Sequence, residues 1–282
     1  LEFRRVLFRS ILTSALPAHG VVHASPIEPG YLITKESGMY YENDLLTQKL
    51  SAGSISFYPA CDTLLHKADV KYMVCDDILY QVDHTLSKTM IARTETRTPA
   101  RTVWLGLAVD DSLTDLENIS FYLDFPNLTE SYEYLFLLPC TEWSAGGTPI
   151  RMEPGIYEKS RLPEESTRAF FRNYDVMSVI DKEVMELYNK HFLRVSQPVP
   201  LDEVDKEPLP KALSSCFGER VREKMQEKLV WVKIVFPAHF TPEILEELHA
   251  GINIVPVENK LLHEQTTSLE DTFRVIPLRT GN

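Results

Sequence analysis

Over residues 229–257 a strand, a helix and a second strand follow one another with almost no slack, and no other stretch constrains the fold as tightly. Residues 229–236 place Val230, Val232, Ile234 and Phe236 on one face and Leu229, Trp231, Lys233 and Val235 on the other. One charge on an otherwise apolar strand predicts burial on nearly both faces. After Pro237-Ala238-His239-Phe240, Thr241 occupies the N-cap position, Pro242 the first helical position and Glu243 the first turn, while Gly251 marks the expected end. Ile244, Leu245 and Leu248 form the stripe such a helix would bury. Residues 252–257 then run extended as a second strand into Glu258-Asn259-Lys260.

Upstream, residues 31–34, 54–58, 70–74, 102–109, 119–125 and 132–138 are short β-favouring runs separated by polar or turn-forming stretches. Ile119, Phe121, Leu123 and Phe125 alternate with Ser120, Tyr122 and Asp124, which predicts a strand with one wet face. Antiparallel pairing in a sandwich is the expected outcome. Gly and Pro become dense from Trp143 to Gly155, and a domain boundary is expected there. Beyond it, residues 164–174 and 181–192 predict helices. Residues 196–210 carry Pro198, Pro200, Pro208 and Pro210 among Asp202, Glu203, Asp205 and Glu207, the composition of an acidic linker or surface loop. The expected fold class is therefore α+β and β-rich. An antiparallel β-sandwich-like first domain, residues 11–150, precedes a mixed helix/strand second domain, residues 151–282, with the fold incomplete at both ends.

Residues 1–10 read as the translation of a common short-read sequencing adapter and are set aside as non-native. Followed by Ile11-Leu-Thr-Ser-Ala-Leu they imitate a signal peptide, but a genuine start would need a methionine. The native part is thus expected to be an internal fragment. The net charge of −12 becomes two units more negative without the three arginines and one glutamate of that segment. Such acidity argues against nucleic acid and anionic membranes as partners. No apolar run reaches the length of a membrane span, so direct membrane insertion is not expected. Cys61, Cys75, Cys140 and Cys216 form no close pair, which fits a reducing compartment, the cytoplasm.

Chemistry is sparse in this sequence. His19 and His23 have a metal-ligand spacing only on a helix, and Pro17, Gly20, Pro26 and Pro29 argue for an extended segment instead. His239, His249 and His263 fall on separate elements and read as surface histidines. Asp76-Asp77, Asp110-Asp111 and Glu246-Glu247 are the carboxylate pairs available for acid–base work. Neighbouring residues on a strand face apart, so turns and helix surface are the simpler reading. No nucleophile elbow, phosphate loop or dinucleotide fingerprint is present. No catalytic residue, metal ligand or cofactor is assigned. Trp143, Phe170 and Phe171 are candidate interface anchors, since aromatic side chains often carry binding energy.

Phe236-Pro-Ala-His-Phe, the short helix, Gly251-Ile-Asn-Ile-Val-Pro-Val-Glu-Asn-Lys-Leu-Leu-His-Glu and Arg274-Val-Ile-Pro-Leu together resemble the middle of the TssF family. Ala18-His-Gly-Val-Val-His-Ala-Ser-Pro-Ile-Glu-Pro resembles the segment leading into that family's first β-rich domain. Glu258, between Val257 and Asn259, is a departure from the family pattern. The resemblance implies a non-enzymatic baseplate wedge component of bacterial type VI secretion, acting through protein assembly. Implied partners are a TssG-like wedge subunit, a TssK-like adaptor, and hub and sheath components, with the protein cytoplasmic at the inner membrane. Two other readings stay open at the level of sequence: a stand-alone β-sandwich module that binds or hydrolyses glycans, and a baseplate subunit of a phage tail or extracellular injection particle.

Overall fold

The computed structural model describes residues 18–41, 55–94, 96, 98–129, 131–156, 184–217, 221 and 225–259, with the backbone of 265–271 and 274–280. The described strands begin with β1 (His19–His23), β2 (Gly30–Ile33), β3 (Met39–Tyr41), β4 (Ile55–Pro59), β5 (Thr63–His66) and β6 (Ala68–Cys75). They continue with β7 (Ile78–Val82), β8 (Lys88–Arg93), β9 (Thr102–Val109) and β10 (Ser120–Asp124), then helix α1 (Ser131–Leu137). Next come β11 (Glu142–Ala145), β12 (Thr148–Ile150), β13 (Met152–Pro154), α2 (Val184–Tyr188), β14 (Phe192–Val195), β15 (Lys206–Glu207) and α3 (Lys211–Ser214). The C-terminal part holds β16 (Leu229–Val235), α4 (Pro242–Glu246), β17 (His249–Ile252), β18 (Ile254–Glu258), β19 (Gln265–Asp271) and β20 (Arg274–Thr280).

The fold is β-rich α+β, and the described strands pair antiparallel throughout. The largest sheet runs β12-β11-β16-β9-β6-β7-β8, with β15 beside β16. A second sheet, β13-β14-β10-β17, lies against it. Leu105 and Leu107 of β9, Val230, Val232 and Ile234 of β16, Phe121 and Leu123 of β10 and Leu193 of β14 share the core between them. The alternating residues of β16 point the other way. Leu229 and Trp231 join Leu209, Leu213, Phe217 and Met225 on the outer face of the large sheet. Burial on both faces of this strand is thus what its composition predicted. Gly106, opposite Trp231 in the ladder, leaves room for the indole: a Cβ there would sit 3.0 Å from the ring.

Several expectations need correction. Residues 132–137 lie in α1 and Leu138 opens the 3-10 turn after it, rather than forming a strand, because burial follows a three-to-four-residue period in which Leu135 and Leu138 face inward. Tyr134 packs 5.4 Å from Phe240 and 6.0 Å from Phe125, so the site rewards helical spacing over alternation. β10 has no wet face, since Tyr122 is buried in a second cluster with Phe192, Ile156, Met185 and Ile254. Residues 196–210 are not a linker. Val199, Leu201, Val204 and Leu209 are buried while the acidic residues Asp202, Glu203 and Asp205 stay exposed, and β15 pairs with β16. The segment where a boundary was expected supplies β11 to β13, and the sheet and its core continue across residue 150: Trp143 pairs with Ile234.

Thr241 and Pro242 start α4 as expected, although Thr241 makes no side-chain capping hydrogen bond. The helix then ends at Glu246, and Gly251 lies in β17 opposite Tyr122 rather than at a helix end. Pairing with β10 takes residues 249–252 out of the helix. The expected single strand over 252–257 is two strands in two sheets, divided at Asn253, whose φ of 58° turns the chain. The predicted helix over 164–174 lies outside the described residues. That over 181–192 is described from Val184, and β14 has already begun at Phe192.

Candidate interaction surface

β18 belongs to the sheet β1-β18-β4-β3, and β2 pairs with β5 over it. Between them lies a small cluster: Ile33, Leu65, Val255 and Val257, edged by Ala24, Met39 and Phe57. Asn253 holds this part to the rest. Its Oδ1 accepts the His66 N–H at 2.9 Å, and its Nδ2 donates to the carbonyls of His66 at 2.7 Å and Ala68 at 2.8 Å. Its own carbonyl accepts the Ala24 N–H at 2.9 Å. One buried amide thereby satisfies three backbone groups where β5 passes into β6.

Histidines secure β1. His23 Nε2 lies 3.3 Å from Asp69 Oδ1, and His19 Nδ1 lies 2.9 Å from the Tyr188 hydroxyl. Burial raises the Asp69 carboxyl, but His23 and Lys71 outweigh it and hold the carboxyl below its ordinary range. Asp124 is likewise raised by burial and lowered further by His191, the Phe125 N–H and the Tyr122 hydroxyl. The His191 ring stacks on Tyr122 at 5.2 Å. Burial pulls the His66 imidazole down, and its Nε2 is buried with no hydrogen-bond partner among the described residues. Burial and Lys88 also lower His249, against the opposing charges of Asp124 and Glu247. These histidines serve strand junctions. His239 is exposed on the turn before α4, and His263 lies outside the described residues.

The carboxylate pairs do not converge. Asp77 contacts Arg93 at 3.5 Å in the turn between β6 and β7. Asp110 accepts from Ser112 and contacts Lys67, which lowers its carboxyl to about 2, while Asp111 lies 3.6 Å from Lys206. Glu246 ends α4, and its carbonyl accepts from Lys88, while Glu247 accepts from Asn127. Cys61 and Cys75 are buried, and burial pushes the Cys75 thiol up to about 12. Among the described residues no three His, Cys, Asp or Glu side chains group as metal ligands, and no helix is long and apolar enough to cross a membrane.

Of the expected interface anchors, Trp143 is 3 % exposed, lies 4.8 Å from Phe121 and donates to Thr141 Oγ1 at 2.7 Å. A ring so enclosed offers a partner no surface in this fold. Phe170 and Phe171 lie outside the described residues. Large apolar side chains face outward at Ile27 (90 % exposed) in the loop before β2, at Tyr31 (48 %) and Leu32 (49 %) in β2 and at Tyr40 (69 %) in β3, and farther along the chain at Met90 (59 %) in β8 and Tyr132 (54 %) in α1. Nothing in Gly-Tyr-Leu-Ile marks this exposure, because such a run reads as interior. The exposure follows from topology: among the described residues β2 has β5 as its one strand neighbour.

No family model matches this chain, and no curated protein matches it. It is similar to one chain of a solved assembly described as a type VI secretion system TssK-TssF-TssG baseplate subcomplex, determined by cryo-electron microscopy. The identity is 13 % and the TM-score 0.43, over 96 % of this chain and 46 % of that one. This chain thus spans less than half the length of the chain it matches. A likeness of that size assigns no family.

Proposed function

We propose that this chain is a structural subunit of a type VI secretion baseplate, a TssF-like wedge component working by protein–protein assembly rather than catalysis. The observation that carries the assembly reading is the exposed apolar edge at β2, where Tyr31 and Leu32 stand half in solvent on a strand anchored at both ends. The choice of apparatus is supported by the TssF-like residues of 236–264, of which 242–258 supply α4, β17 and β18 at the junction of the two cores. On this reading the partners are a TssG-like wedge subunit and a TssK-like adaptor, then hub and sheath components, and the protein works in the cytoplasm at the inner membrane.

Co-production of the complete protein with its neighbouring gene products tests this. A stable complex with a TssG-like subunit in affinity capture and size-exclusion chromatography is the expected result. A monomer that joins neither a TssG-like nor a TssK-like protein overturns it.

A further inference from the structure

We propose that β2 is a docking edge for an extended apolar segment of a partner protein with basic residues at its ends, adding a strand beside β2. The proposal rests on the assembly reading above and locates where a partner engages. β2 pairs with β5 from Gly30↔His66 to Ile33↔Thr63, and among the described residues no strand lies along its other edge. Its ends are fixed. The Lys67 N–H reaches the Pro29 carbonyl at 3.4 Å, and Ile33 is buried beside Leu65. Beyond it the Lys35 N–H donates to Asp62 Oδ1 at 2.9 Å and the Ser37 N–H to the Thr34 carbonyl at 2.9 Å. The strand is therefore held rigidly between exposed positions.

Exposed edges are usually blunted by lysine, proline or a bulge, because unpaired backbone groups invite another strand. Gly30-Tyr31-Leu32-Ile33 carries none of these within its span. Tyr31 and Leu32 are neighbours and so project to opposite faces, and both are half exposed. A helix laid on one face would leave the other uncovered and the backbone edge unpaired. An extended segment meets the backbone groups and both faces at once.

Charge selects the ends. Glu28 before β2 and Glu36 after it are exposed, and although Lys35 beside Glu36 is exposed too, the chain's net charge of −12 leaves the balance acidic. A second copy fits less well, since antiparallel pairing of two β2 strands about Leu32 sets Glu28 of one copy opposite Glu36 of the other.

The test titrates the full chain with a labelled peptide of roughly eight residues, alternating valine and threonine with lysines at both ends, read by fluorescence anisotropy. Binding is expected, weakened about tenfold by glutamate ends and abolished by N-methylation of alternate amides. Tyr31→Lys and Leu32→Lys should each weaken it about tenfold with unchanged thermal melting. No binding, or binding indifferent to Leu32→Lys, overturns the proposal. So does self-association that Leu32→Lys abolishes, or β2 amides already protected from hydrogen exchange by another part of the free monomer. If Leu32→Lys enters the subunit complex as well as wild type does, the β2 surface falls and the assembly role stands. If wild type forms no such complex, the assembly role falls while the peptide titration still decides the edge.

Discussion

Strands β17 and β18 are separated by one residue, yet they enter different sheets with very different cores. β17 brings Ala250 and Ile252 to the large interior shared by two sheets, where Phe121, Phe125, Phe236 and Phe240 are also buried. β18 brings Val255 and Val257 to the small cluster beneath β2, whose neighbours stand half exposed. Depth of burial sets stability in the first region, at roughly 1.5–3 kcal/mol for each large apolar side chain. The second region has few such side chains and depends on its attachment to the first. Substitutions on the two sides of residue 253 should therefore separate folding from association.

Removing the attachment should have the largest effect. Asn253→Ala leaves the His66 N–H and the His66 and Ala68 carbonyls without their side-chain partner, and puts alanine at a φ of 58°. Each orphaned buried group costs about 1–3 kcal/mol, so a total loss of about 4 kcal/mol is expected by urea unfolding. Asn253→Gly keeps the turn and loses only the clamp, and should recover part of that loss. A cost below about 1 kcal/mol for Asn253→Ala would show that the two regions do not depend on this amide.

The next effect lies one turn away. Leu86 adopts a φ of 63° in the loop between β7 and β8 and packs into the hollow left by Gly251, where a Cβ would come within 2.4 Å of Leu86 Cδ2. Asp83 holds that loop by accepting the Thr85 N–H at 2.8 Å and the Ser87 N–H at 3.1 Å. Gly251→Ala should cost about 1–3 kcal/mol through overpacking. In the background of Leu86→Ala the same change should cost far less, because the clash partner has gone. Additive costs in thermal melts of the two single variants and the double variant would refute direct contact between loop and strand.

Acid should weaken the fold in two steps, first through histidines lowered by burial and then through carboxylates. A histidine whose imidazole is lowered by burial takes up its proton first in the unfolded chain, so stability falls as pH drops below the ordinary value of 6.5. His66 and His249 both behave this way. Asp69 and Asp124 are held below their ordinary 3.8, so their contribution is present above that value and is lost as pH falls further. His66→Gln should flatten the slope between pH 7 and 5 in urea melts and leave the steeper fall below pH 4. An unchanged slope would mean that His66 takes up its proton equally in the folded and unfolded chains.

Legibility in the sequence follows the same division. β9 and β16 could be read because both are near-continuous apolar runs that sit inside, where local pattern and tertiary burial agree. α1 could not, because Tyr-Glu-Tyr-Leu-Phe-Leu-Leu serves either period and the aromatic cluster around Phe240 decides. Residues 196–210 misled through composition, since prolines and carboxylates hide four apolar residues at uneven spacing. Asn253 looked like one polar residue in a strand, and only the partner strands show it as a turn and a clamp. The exposed edge was invisible for the opposite reason. Tyr31 and Leu32 have the composition of an interior strand, and their exposure reflects which strands, among the described residues, lie beside them.

The smallest change in stability should come from that edge, which makes it the sharpest test of the division. Leu32→Ser removes a side chain that is half in solvent already, on the face away from Ile33, and leaves the pairing of Leu32 with Leu64 intact. Its expected cost is within about 0.5 kcal/mol, the ordinary range for a surface substitution. Leu65→Ser, on the neighbouring strand and buried, orphans a hydroxyl in the small core and should cost several times more, about 2–4 kcal/mol. If both prove costly, β2 is an integral wall of its core and the exposed leucine is incidental. If Leu32→Ser is silent in unfolding but lowers the yield of the co-purified subunit complex, the apolar edge is maintained for a partner, because folding alone does not require it.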